Sequence, residues 1–249
     1  MEEATGTNNS DAKTVFEVNS RAVTALQVGN HPEAISHLQR AMTWIRDIVH
    51  DPAQPGFTMV PIPGYGDQVN RDVVDEVSIL SVPSVIDQAV FPSPSLDTST
   101  PFQFFDGVFL TPYLNYEGTK GLRLTCAFVL YNLGFCFHHR EVVNGTMNPD
   151  KLRVATKFYS RGLRILDGTA HDTRQDDMIV LLLALFSNLG QLSTRLGDTE
   201  DCRNCFCWIQ SLLANPRTRL LAQTRPDVAF FYQNNLLWVE NNFNKAPAA

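Results

Sequence analysis

Three cysteines fall within six residues, at Cys202, Cys205 and Cys207 of "CRNCFC". Thiols at Cys-x-x-Cys spacing can ligate zinc or exchange a disulfide. A structural zinc needs about four converging ligands, and no second cysteine pair follows, so His138 and His139 would have to be recruited from far along the chain. That adjacent pair of imidazoles invites a ligand or general-base role. Neighbouring helical residues point about 100° apart, however, so the two cannot face one substrate together. "HDTRQDD" (171–177) gathers an imidazole and three carboxylates ahead of an apolar run, where acidic residues are expected from the helix dipole. "PGYGDQ" has glycines without the following Lys-Ser of a phosphate loop, and no Ser, Cys or Lys stands in a nucleophile motif. The expectation is no catalysis, no cofactor and no metal. The cysteines read as packing residues, since a buried thiol behaves as a small hydrophobe.

The elements that hold these residues are mostly helical. Apolar residues recur at helical spacing over 14–28, Gly29-Asn30 breaks the pattern, and Pro32 opens a second helix to about His50. Helical spacing returns at 119–139, 149–166, 175–196 and 199–214. Pro216 and Pro226 flank what reads as a short connector, followed by a last amphipathic helix capped by Asp227. Residues 51–118 differ. They hold nine of the fourteen prolines, which exclude a long helix, yet "VSILSV" (77–82) and "FQFFDGVFL" (102–110) are apolar and β-prone. An ordered insertion with a small β-ribbon, packed on the helical body, is expected. The polar start suggests a disordered tail over 1–11 and a single helical domain over 12–249.

"NLGFCFHHR" (132–140) returns as "NLGQLSTRLGD" (188–198). Overlaying the hairpins places Ala22, Gly29, Ala34, Leu38 and Ala41 at the same intervals as Gly190, Gly197, Cys202, Phe206 and Ile209. Gly134, Ala155, Tyr159 and Gly162 keep that spacing after a longer turn. Small residues at these positions let two helices approach closely, and aromatic ones fill the gap to the next hairpin. The pattern resembles the tetratricopeptide family over roughly 12–48 and 121–213. It departs from the family in its long insertion, its stretched second turn and the missing closing prolines. The resemblance implies an all-α fold, antiparallel helical hairpins stacked as a short solenoid.

It also implies a use. In that family the first helices of the hairpins line a concave face that binds peptides. By overlay this face presents Asn19 and Val23, then Tyr131, Asn132, Phe135 and His138, then Asn188, Gln191 and Arg195. Asparagine is both donor and acceptor, so the Asn of each "NLG" suits an extended peptide's backbone. The competing role is an internal helix-packing amide. The Lys and Arg with which chaperone-binding members clamp a terminal carboxylate are absent.

Composition bounds the rest. A chain of 249 residues with 44% hydrophobic content can bury a sizeable core. A net charge of -6 without clustered Lys and Arg argues against nucleic acid. The uncharged run 178–194 is broken by Ser, Asn, Gly and Gln, and its apolar part is far short of the ~20 residues of a membrane span. Five cysteines inside helical segments suit reduced thiols in the cytosol or nucleus. The expected function is a non-catalytic scaffold that binds a protein or peptide. The alternative is an enzyme or small-ligand-binding protein whose 51–118 insertion closes a pocket.

Overall fold

The computed structural model of the protein describes residues 6–49, 79–81, 102, 104–109, 119–166 and 176–243. Among these the chain is predominantly helical, with α1 Gly6–Gln27, α2 His31–Val49, α3 Thr119–Asn144, α4 Pro149–Leu166, α5 Asp176–Leu196, α6 Thr199–Ala214, α7 Pro216–Thr224 and α8 Pro226–Phe243. Two short strands, β1 Ile79–Ser81 and β2 Gly107–Phe109, pair antiparallel with Ile79 opposite Phe109 and Ser81 opposite Gly107. They lie inside the two β-prone runs of the insertion; most of 51–118 falls outside the described residues.

Two of the turns are built alike from the same residue pattern. Gly29 and Gly197 both have φ near +75°, a left-handed conformation that suits glycine. The amide after each donates five residues back, Asn30 to Ala25 and Asp198 to Ser193, both at 2.8 Å. Satisfying the last carbonyls in this way ends the first helix of each pair. The residue after the glycine then caps the next helix: Asn30 accepts from the Glu33 amide at 3.3 Å, and Asp198 from that of Asp201 at 3.0 Å.

The middle turn is stretched and is held by a carboxylate. Glu141, fully buried in the last part of α3, accepts from the Thr146 hydroxyl at 2.5 Å and the Asn148 amide at 3.1 Å, and meets the Lys151 ammonium at 3.1 Å. Burial pushes its carboxyl up, but those three donors outweigh it and hold the group below its ordinary value of 4.5. Glu141→Ala strands the Thr146 and Asn148 donors. It should cost about 1–3 kcal/mol, seen as a melting temperature lower by roughly 2–12 °C at pH 7. Because the folded-state value is depressed, the difference from wild type should shrink as pH falls below about 4.5; an unchanged difference at acid pH would contradict it.

Each helix packs on the next in sequence, from α1 on α2 to α7 on α8, and α5 also meets α3, α7 and α8. The sequence supplies the matching faces. In α4, Leu152, Ala155, Tyr159, Gly162 and Leu166 are buried at intervals of three and four. In α5, every residue from Met178 to Leu185 is buried, as befits a helix with neighbours on most sides. By length and composition Asp176–Leu196 could cross a membrane, and it is the one such helix among the described residues; 72% of its most apolar stretch is covered by the protein itself.

Several boundaries differ from expectation. α1 begins at Gly6 and takes in residues expected to be tail, since nothing from Thr7 to Gln27 is Gly or Pro and an established helix propagates backwards cheaply. α3 runs on to Asn144 rather than ending near His139. The expected connector after Pro216 is helix α7, with Pro216 in its first turn and Asn215 as its cap, accepting from the Arg217 amide at 2.9 Å. Asp227 lies within the first turn of α8 and pairs with Arg225, so it is not the cap.

Candidate functional site

Helices α1, α3 and α5 turn one face each towards a common strip of chain. On α3, Tyr131, Asn132, Phe135, His138 and His139 share a face by helical spacing, and all five are buried. Asn19 and Val23 of α1 and Asn188 of α5 are buried too. Gln191 is partly buried and Arg195 is exposed at the rim. The strip against this face is the chain's own, Phe102 and residues 104–109.

The segment is extended, and the asparagines hold it by its backbone. Asn188 accepts from the Phe105 amide at 2.8 Å and donates to the Phe105 carbonyl at 3.1 Å. Four residues on, Asn132 repeats the pair with Phe109, accepting at 3.0 Å and donating at 2.8 Å. Asn19 donates to the same Phe109 carbonyl at 3.0 Å and accepts from Asn132, also at 3.0 Å. Between the two clamps the Tyr131 hydroxyl donates to the Gly107 carbonyl at 3.0 Å and accepts from Asn188 at 3.0 Å. The period of two is that of a strand, whose alternate residues present their polar groups to the same side. Each amide thus uses both its donor and its acceptor in a dry site, where an unmade bond is costly.

The side chains of the segment fill slots that the helices leave. Phe102 lies in a recess over Gly190, where a Cβ would come within 2.4 Å of the ring. Phe105 packs against Phe230 and Phe231 of α8 at 5.7 and 5.0 Å between ring centres. Phe109 packs against Phe128 at 5.1 Å and edge-on to Tyr131 at 4.8 Å. Phe104 meets Phe135 at 5.4 Å, His138 edge-on at 4.6 Å and His139 at 6.0 Å. The two histidines, expected to face apart, therefore both reach one ring, because a phenyl group lying along α3 spans the angle between them.

Burial sets the charge state here. His138 is pushed down to about 3 by burial, then by Arg195 and His139, against the Gln191 amide beside it. His139 is pushed down to about 4 by burial and by His31, whose Nε2 lies 2.9 Å from its Nδ1. His31 is itself lowered, by burial and by Arg140, with the Gly29 backbone opposing. His138 and His139 are therefore neutral at pH 7. Burial also raises the Tyr131 and Tyr159 hydroxyls well above 10, so both remain hydrogen-bond donors.

The thiols part company. Cys205 is buried and raised to about 12, chiefly by burial, whereas Cys202, the expected packing thiol, is half-buried with its sulfur 3.5 Å from the Thr194 hydroxyl, and Cys207 is exposed. The helical interval that puts Cys205 inward turns its neighbours outward. Among the described residues no three of His, Cys, Asp and Glu gather as a metal would require. Of "HDTRQDD", Asp176 pairs with Arg217 at 2.6 Å and Asp177 with Arg225 at 2.9 Å; His171 and Asp172 lie outside the described residues. Comparison with family models, with curated proteins and with solved structures gives no match to this chain.

Sequence reasoning missed Tyr159, Phe104 and His31 as members of the site, and assigned Gly190 to helix pairing. The glycine of each "NLG" was the available signal. Gly134 makes room for the Tyr159 ring of the paired helix, 2.7 Å from its virtual Cβ, but Gly190 makes room for the insertion.

Proposed function

We propose that the protein is a non-catalytic, tetratricopeptide-like scaffold of the cytosol or nucleus, its hairpins stacked as a short solenoid with a β-ribbon from the insertion, and that its concave face holds an extended segment of a protein or peptide partner. The observation that carries this reading is the pair of two-way amide clamps, Asn132 on Phe109 and Asn188 on Phe105. Such bonds address a main chain rather than a side chain, so they suit any extended polypeptide.

The covering of the face by the insertion is the one feature that favours a closed small-ligand pocket instead. Against it, the polar groups under the cover, Tyr131, Asn132 and Asn188, are spent on the segment itself. The test is a photo-crosslinking residue placed at Arg195, on the rim, in the full-length chain expressed in cells. A partner protein crosslinked there is the expected result. A chain that captures no protein and retains a small molecule, identified by native mass spectrometry, would overturn the reading in favour of a pocket.

A further inference from the structure

The face assigned above to a partner is filled by Phe102 and residues 104–109 of the same chain. Resting on that reading, we propose that this segment is an autoinhibitory stand-in, and that the ligand it excludes is an extended peptide with aromatic residues at the positions of Phe102, Phe105 and Phe109 and a small residue at that of Gly107.

The clamps fix the ligand's direction and spacing. Its amino-terminal part lies on α5, where Asn188 holds position 105, and its carboxyl-terminal part on α3 and α1, where Asn132 and Asn19 hold position 109. The recess over Gly190, the pair Phe230 and Phe231, and the pair Phe128 and Tyr131 each take one ring. Gly107 is buried with its carbonyl under the Tyr131 hydroxyl. None of the main-chain bonds depends on the segment's being part of this chain. Its regular pairing outside the face is with the three residues of β1.

What keeps a free peptide out is the tether. Residues 110–118 separate the end of β2 from the start of α3, and so short a link holds its ligand at an effective concentration on the order of millimolar. A competing peptide that makes the same contacts at micromolar concentration loses by about a thousand-fold. A partner must therefore bring further contacts or a high local concentration.

The experiment uses the full-length chain and a fluorescent peptide of the sequence TPFQFFDGVFLT (100–111). In the variant Phe105→Ala/Phe109→Ala the tethered segment loses two of its rings, while every helix keeps its sequence. Polarisation should show the peptide binding this variant at least about ten-fold more tightly than wild type, and adding Asn132→Ala should weaken that binding about ten-fold. Circular dichroism and a melt at 5 °C accompany it. A folded variant that ignores the peptide overturns the stand-in and leaves the scaffold to be judged by the Arg195 crosslink. A variant without a cooperative melt even at 5 °C also overturns it, because the segment is then core and does not exchange.

Discussion

Replacing Asn132 and Asn188 together by Ala lowers the melting temperature by roughly 5–20 °C and exposes residues 104–109 to hydrogen exchange. The Phe109 and Phe105 amides each donate to one of these side chains in a dry site. A stranded donor costs about 1–3 kcal/mol, hence about 2–6 kcal/mol for the pair. In a chain of this size each kcal/mol moves the melt by about 2–4 °C. The Phe109 carbonyl keeps Asn19, whereas the Phe105 carbonyl keeps only a share, at 3.3 Å, of the one Tyr131 proton that Gly107 holds at 3.0 Å, so the carbonyls add less than the amides. The loss should be local first: amides of 104–109 lose protection while those of α3 and α5 keep theirs. A double variant that melts like wild type would mean that these bonds are not made in solution.

Acid should weaken the fold before carboxylates titrate. His138 and His139, with folded values of about 3 and about 4, stay neutral while their unfolded counterparts take up protons near 6.5. Between those limits the unfolded chain binds more protons, so stability falls as pH falls. From pH 7.5 to pH 5 each contributes about 2 kcal/mol of lost stability, and the pair about 10 °C of melting temperature. The groups facing them are His31 from α2, Arg140 of α3, Tyr159 from α4, and Gln191 and Arg195 from α5. None supplies a carboxylate that would hold an imidazolium. His138→Gln/His139→Gln should melt lower at pH 7.5 yet lose less than half as much on going to pH 5. A wild-type melt independent of pH over this range would contradict the assignment.

Much of the helical frame could be read from local signals. α4 and α6 begin and end where expected, because Asn148 with Pro149 and Gly197 with Asp198 are strong punctuation. α7 was hidden by its nine residues and by the prolines at both margins, although Asn215-Pro216 is itself a start signal. The chemistry of a primary amide suggested either a grip on a partner's main chain or an internal amide; Asn132 and Asn188 are buried and grip main chain of their own molecule. The owner of that main chain could not be read. The bonds join residues 83 and 23 positions apart for the two clamps and 113 for Asn19 with Asn132, and no periodicity within a window of sequence encodes such a meeting. For the same reason the place of the insertion on the helical body could not be read, and the recess at Gly190 was credited to a neighbouring helix.

The strip along α1, α3 and α5 bears on how the molecule comes apart. An array whose helices pack mainly on their sequence neighbours can unzip from either end, because each unit feels only the next. Here Phe109 is bonded to both Asn19 and Asn132, and Phe105 to Asn188. Fraying of α1 therefore loosens the clamp on α3, and loosening the strip bares the aromatic faces of α3 and α8. Such a tie couples the three hairpins for as long as the strip is seated. Two of its bonds close loops of 83 and 90 residues and bear a large closure entropy, so the hairpins should assemble first and the strip should seat last, as the slow step of folding.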